Sequence, residues 1–322
     1  MKKHLFSVII ICITLTSYAQ TQSTPISQED INQGEKFISA YFNPMSRSFG
    51  SSLNNGWYNT AKPHSLGGFD LTVTFNTVII PDEAKSFNIL QAGGTTFISN
   101  SSEAATIFGS SDKTDMSYVS ASSAPVGGFG VPFEMPGGII ETKYVSLPMI
   151  QAGIGLIKNT ALDFRFMPLV NVGDAVKANL FGIGVKHDLL QWIPAVGDAI
   201  PMSISLQAGY TSLNTELSIE EQDINLKTTA TTINLVASKK IVMVTGYAGL
   251  GYNTSSTNLK ADANFDIGGV KFNESIDFSL ESKNNLRANI GLRFNITLVT
   301  IHADYTFAEY PTATLGLGVS FR

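Results

Sequence analysis

His302 and Asp304 stand two residues apart, and Ser320 follows one short segment later. A nucleophile, a base and an orienting acid are the groups with which a serine hydrolase cleaves an ester or amide. The same residues, with Arg287 and Arg293 just upstream, also make the kind of hydrogen-bonded network that any enclosed polar interior requires. That network accounts for them without chemistry, so no catalytic residue is assigned. His64 and His187 are isolated, and with no HxxxH spacing and no carboxylate cluster no metal site and no cofactor are expected. Gly127-Gly128 and Gly137-Gly138 lack the strand-to-helix setting in which glycines cradle phosphate, and they read as loop glycines.

The segments that carry these residues share one pattern. From Asn285 to Ile296, Leu286, Ala288, Ile290, Leu292, Phe294 and Ile296 alternate with Asn285, Arg287, Asn289, Gly291, Arg293 and Asn295. Val299, Ile301, Ala303, Tyr305 and Phe307 then oppose Thr300, His302, Asp304 and Thr306, and Thr312 to Arg322 alternates through Ala313, Leu315, Leu317, Val319 and Phe321. Period-two order with one greasy and one polar face is the mark of a strand between lipid and a polar lumen. An arginine facing lipid at mid-depth costs about 2–4 kcal/mol, so Arg287 and Arg293 must face inward. By the same rule Asp163, Arg165, Lys186, His302 and Asp304 are assigned to the luminal face as candidate pore lining.

Met202 to Thr211, Thr231 to Ser238, Leu162 to Phe166 and Phe181 to Lys186 repeat the alternation; Val242 to Tyr252, Phe69 to Thr77 and Leu147 to Ile157 are also strand-like. The expected fold is all-β: a transmembrane antiparallel up-and-down barrel of about 10–12 strands, 14 at most, with a short helical N-terminal segment. The Gly/Ser-rich stretch from Pro81 to Gly138 is left room for about two of those strands. A soluble sandwich would alternate too, but it has no use for apolar outer faces opposite charged ones.

Lys2, Lys3 and His4 precede the apolar run Leu5 to Leu15, and Ser17-Tyr18-Ala19 follows as a small-residue cleavage site, so residues 1–19 read as a signal peptide. Cys12 lies inside that run, after Ile11, which is not the placement of a lipoprotein cysteine. Cleavage removes two lysines and no acid and moves the formal charge from −5 to −7. A mildly acidic chain without a basic cluster has no footprint for nucleic acid. No later apolar run approaches the length of about 20 that a membrane helix needs.

Residues 20–66 are a different kind of segment from the barrel expected over 67–322. Ser27 and Asp30 suggest a helix cap, and Ile31, Ile38, Tyr41 and Phe42 fall at helical spacing before Pro44, which is expected to end the helix. A polar stretch from Ser46 to Leu66 follows, and its Trp57 and Tyr58 are assigned to a plug or to the interface. With both barrel ends in the periplasm, tight turns are expected there at Lys158-Asn159, Lys239-Lys240 and Asn295 to Thr297. External loops are expected at Pro81 to Gly138, Asn171 to Val176, Ser212 to Asn225 and Thr254 to Asn284, with Val270 to Leu280 in an external hairpin. In the connector Asp188 to Pro201, Leu189, Leu190, Trp192 and Ile193 suit an interfacial anchor.

Leu315, Leu317, Val319 and Phe321 resemble the last strand that bacterial outer-membrane barrels present to their insertion machinery. Asn54 to His64, Gly184 to Pro194, Gly246 to Thr254 and Ala303 to Arg322 are similar to segments of the outer-membrane transport proteins typified by the long-chain fatty acid transporters, and closer still to an uncharacterised branch of such barrels. The resemblance implies a monomer in the outer membrane, with membrane lipid and the insertion machinery as partners, an N-terminal hatch and passive uptake of hydrophobic molecules. Clear strands are fewer than in those transporters. The first expectation is therefore a channel for small, fatty-acid-like hydrophobic molecules, with Ile107-Phe108 and Phe129 to Phe133 as an exposed docking surface. The alternatives are a structural or surface-interaction barrel with a blocked lumen and, third, a barrel hydrolase using His302, Asp304 and Ser320.

Overall fold

The computed structural model describes residues 28–119, 131–140, 142–172, 176–193, 201–219, 222–267, 270–282 and 286–321. The expected signal peptide, Ser27, Gly127-Gly128, Phe129 and residues 194–200 of the connector fall outside them. Helix α1 (Gln28–Asn54) opens the described chain and β1 (Phe69–Ile79) follows. Short elements occupy the excursion to β7: β2 (Ser86–Asn88), α2 (Ile89–Gly93), β3 (Phe97–Ile98), β4 (Glu103–Ala105), β5 (Thr114–Tyr118) and β6 (Val131–Met135). The long strands are β7 (Tyr144–Leu156), β8 (Thr160–Val172), β9 (Val176–Asp188), β10 (Ser203–Ile219), β11 (Gln222–Ile241) and β12 (Val244–Ile267). They continue with β13 (Val270–Ser282), β14 (Leu286–Ile296), β15 (Val299–Phe307) and β16 (Thr312–Phe321).

A closed antiparallel barrel of 10 strands results, in the order β1, β7, β8, β9, β10, β11, β12, β14, β15, β16 and back to β1. The wall is two-sided along its whole circuit. On β16, Thr312, Thr314, Gly316, Gly318 and Ser320 are buried while Ala313, Leu315, Leu317, Val319 and Phe321 are exposed. Phe69 and Phe321 stack at 4.7 Å where first and last strands meet. An outer apolar belt over a polar interior is the architecture of outer-membrane barrels.

Four expectations about the wall change. The stretch from Pro81 to Gly138 adds no wall strand; β2–β4 and β3–β5–β6 form two small sheets of their own. Ser212 to Asn225 is not a loop, because β10 and β11 stay paired up to Ile219 and Gln222. Likewise the upper half of β12 pairs with β13 and the lower half with β14, so the external hairpin prolongs the wall. These extensions alternate with polar groups on the outer face, so they carry no apolar signal although the ladder continues. The turn expected at Lys239-Lys240 sits at Val242-Met243, because both lysines remain in register with Thr245 and Gly246.

Among the described residues, the tight turns that join β7 to β8, β11 to β12 and β14 to β15 lie at the end where β1 begins and β16 finishes. Lys158 and Asn159 both adopt positive φ there (54° and 45°), as the mirror-type hairpin turn demands. The opposite end carries a head. Phe37, Ile38, Tyr41, Phe42 and Met45 of α1 pack with Phe97, Ile107, Phe108, Met116 and Met135 of the excursion and with Leu226, Leu259 and Leu280 of the prolonged strands. Ile107 and Phe108 are therefore core residues and not a docking surface, and Phe133 is half-buried against the same cluster.

Pro44 does not end α1. A proline removes one intrahelical donor, the one that would serve Ala40 O; in the turns around it Ile107 N donates to Tyr41 O at 3.2 Å and Ser48 Oγ donates to Met45 O at 2.8 Å, bonds that supplement the helix ladder. The helix runs 27 residues, about 40 Å, from the head down the axis of the barrel.

One part of the wall is not laced. β7 and β8 each have 13 residues, yet they pair only from Leu156–Thr160 to Ile150–Phe166. Above that level Pro148 lies on one strand, and Pro168 lies on the other within a bulge between Met167 and Val170. Proline cannot donate to a ladder and sits at edges or bulges. Behind this seam the inner wall is apolar: Met149, Met167, Leu180, Leu213 and Ala230 meet Leu53, with Phe49 and Leu147 alongside.

Candidate functional site

The lumen is occupied by α1 and the extended chain that follows it, and wall side chains hold this segment from all sides. Ser46 Oγ donates to Thr257 Oγ1 at 2.9 Å near the head. Further down, Ser51 Oγ donates to Tyr310 O, and Tyr58 OH donates to Asn289 Oδ1 at 2.7 Å. Ser238 Oγ accepts from Ala61 N, His64 Nε2 lies 3.3 Å from Asp70 Oδ1, and Gly67 N donates to Gly155 O at the base.

The tightest point is the end of α1. A helix leaves its last carbonyls without intrahelical donors, and those from Ser52 to Asn55 are met from the wall. Asn76 Nδ2 donates to Ser52 O (2.8 Å) and Asn55 O (3.0 Å). Arg165 Nη1 donates to Leu53 O (2.8 Å) and its Nη2 to Asn55 O (2.7 Å), while Arg287 Nη1 donates to Asn54 O (2.6 Å). Two guanidinium groups from opposite walls thus face the negative end of the helix dipole, which favours cations.

Trp57 completes the clamp. Its ring lies 3.7 Å below the Arg165 guanidinium, within cation–π range. Its other face rests on the backbone of Gly184 and Gly209, where any side chain would strike the indole. These glycines are register partners on β9 and β10, so two adjacent bare positions make one notch.

All seven residues assigned to the luminal face are buried there: Asp163, Arg165, Lys186, Arg287, Arg293, His302 and Asp304. Arg165 and Arg287 hold α1, Arg293 Nη1 donates to Asn59 Oδ1 at 2.7 Å, and Asp304 Oδ2 accepts from Tyr247 OH at 2.9 Å. Lys186 is placed to interact electrostatically with Asp70 and Asp163. His302 Nδ1 approaches Asn59 Nδ2 at 3.5 Å. His302 stands opposite Gly316, and Ser320 opposite Asp70. Four residues of strand, about 13 Å, separate Gly316 from Ser320, so His302, Asp304 and Ser320 do not converge. Trp192 lies outside the lumen in a turn at the base, 62% exposed, and donates from Nε1 to His187 Nε2 at 2.9 Å. Among the described residues no group of three His, Cys, Asp or Glu is arranged to hold a metal ion.

Asn76, Gly184 and Gly209 are not singled out by the sequence. Asn76 carries a signal after the fact, as the polar partner of Thr72 and Thr74 on β1's inner face; the glycine notch appears only once the register of β9 and β10 is known.

Residues 1–321 match a family of unknown function (DUF6588). No curated protein matches the chain in sequence. Among solved structures, the outer membrane protease OmpT of Escherichia coli aligns over 79% of this chain and 97% of its own at 9% identity, with a TM-score of 0.34. The translocator domain of the autotransporter NalP of Neisseria meningitidis aligns over 88% and 97% at 10% identity and 0.33, and a deltaS2 mutant of the TodX monoaromatic hydrocarbon channel over 80% and 67% at 9% and 0.27. Superpositions this loose say nothing of what the present barrel carries.

Proposed function

The chain belongs to this family of unknown function, and we propose that it is an outer-membrane barrel, closed along its axis, that passes small fatty-acid-like hydrophobic molecules sideways through its wall. The observation that carries this reading is the unlaced seam between β7 and β8 above Ile150 and Phe166, backed by the apolar strip of Met149, Met167, Leu180 and Leu213. An apolar solute cannot follow the polar, plugged lower lumen. At the seam it exchanges contacts with Phe49, Leu53 and the methionines, whose flexible side chains adapt to varied shapes. With the tight turns in the periplasm, the seam opens at the upper edge of the apolar belt, where the bilayer receives the solute.

The mature chain envisaged here begins after Cys12, so a Pro148→Cys, Leu169→Cys pair gives a clean test. Bridging the pair with a short dithiol-reactive reagent is expected to stop uptake of radiolabelled fatty acid by cells, and a cleavable bridge to restore it on reduction. Uptake unchanged by bridging removes the proposal.

A second reading, a sealed barrel that only presents its head, is favoured by the close fit of wall donors to the α1 carbonyls. Neither reading allows steady ionic conductance along the axis, so planar-bilayer recording does not separate them. Uptake does: equal accumulation of a panel of fatty acids and aromatics with and without the gene leaves the sealed barrel.

A further inference from the structure

We propose that the outer wall just above the apolar belt holds a docking site for the phosphorylated headgroup of an outer-leaflet glycolipid, built from Lys177, Lys227, Lys260, Asn179, Asn214 and Asn258. The proposal rests on the membrane orientation given above and shares only Leu169 with the seam.

Along the outer face of β10, Leu206, Ala208 and Tyr210 give way to Ser212, Asn214 and Glu216. Tyr210 marks the edge of the belt, since rings with one polar end settle at the interface. Two residues higher than Ser212, the register brings one polar row together: Asn214 lies opposite Asn179 on β9 and Lys227 on β11, and Lys227 lies opposite Asn258 on β12. The next row sets Lys177 against Glu216 and Asn225 against Lys260. Together they surround a hollow of about 300 Å³, with Leu169 also on its lining.

The free valences suit a sugar phosphate. Asn214 Nδ2 donates to Asn179 Oδ1 (3.0 Å) and Ser279 Oγ to Asn258 Oδ1 (2.9 Å), which among the described residues leaves the Asn179 and Asn258 amide N–H groups and the Asn214 carbonyl for sugar hydroxyls. Lys177 is paired with Glu216 at 2.9 Å and Lys260 with Asp277 at 2.8 Å. Lys227 makes no ion pair among the described residues, and it is central to the row. An ammonium ringed by amides, at headgroup height, attracts an anionic headgroup. Leu169, 66% exposed at the lining, gives the first acyl carbons an apolar contact. A soluble sugar phosphate would not need that contact or that height.

The test uses the full mature protein extracted in mild detergent and examined by native mass spectrometry with added lipid A. The expected result is retention of one lipid A, reduced at least about fivefold in Lys227→Glu. Lys239→Glu makes the same charge change at the opposite end and is expected to retain it. Unchanged retention in Lys227→Glu, an equal loss in Lys239→Glu, or phosphatidylglycerol held as well as lipid A each overturns the site. Competition by inorganic phosphate alone at millimolar concentration would also overturn it, because the headgroup sugar would then contribute nothing. Heat-dependent gel mobility checks the fold of every variant; its absence in the wild type would defeat the membrane reading itself, and the site with it.

Discussion

The two ends of α1 are buried by different physics. In the head, Phe37, Tyr41, Phe42 and Met45 meet Phe97, Ile107 and Met135, a contact that is non-directional and tolerant of small shifts. Phe37 stacks on Phe97 at 4.7 Å and meets Phe87 edge-on at 5.3 Å, yet no single atom pair fixes its place. At the other end every carbonyl from Ser52 to Asn55 has a named donor from the wall. Such bonds are short, angular and costly to leave unmade. The head therefore supplies adhesion, and the lower lumen supplies position. A helix held only by its apolar half could slide or turn, whereas guanidinium groups from β8 and β14 permit one height and one rotation.

The strongest way to break this contrast is the double variant Arg165→Ala, Arg287→Ala, which strands three carbonyl contacts in the interior. A loss of about 5 kcal/mol is expected, read as appearance of single-channel conductance in planar bilayers with the head still folded. Phe37→Ala attacks the other end and is expected to cost about 3–5 kcal/mol of head stability. Faster proteolysis in the excursion 80–143, without conductance, is the expected readout. Gly209→Ala fills half of the notch under Trp57 and should cost about 1–3 kcal/mol, seen as a red shift of the indole emission as the ring leaves its seat.

The smallest effect separates the ends by pH. Burial raises the pKa of Tyr41 in the head. Its folded form is neutral, so the stability it contributes is complete below the ordinary phenol pKa of about 10 and declines as pH rises beyond it. Tyr41→Phe, which gives up the 2.9 Å bond to Gly137 O, is expected to remove that alkaline decline from the head alone, followed by heat-dependent gel mobility between pH 9 and 11.

The wall was legible in the chain because lipid on one side and enclosed polar groups on the other impose a strict alternation, and the arginines on β14 keep to it. The helix was legible only as far as Pro44, since its continuation is held by wall donors distant in sequence. The prolonged parts of β10, β11 and β12 were unreadable as wall strands, and Val270 to Leu280 was legible only as an external hairpin, for a different reason: above the bilayer nothing demands an apolar outer face. Ile107 and Phe108 looked like a surface because a loop with apolar residues and a small domain with a core have the same composition. The clamp was half visible. Arg165 and Arg287 stood out as charges, but Asn76 and the paired glycines acquire meaning only from register.

The direction of α1 has a practical corollary. Gln28 stands at the head and Phe321 at the base, so the two described extremities of one chain report from opposite sides of the barrel. A reporter peptide spliced ahead of Gln28 would ride on the same face as the head, and one joined beyond Phe321 would stay with the base, which makes this a ruler laid across whatever the wall divides.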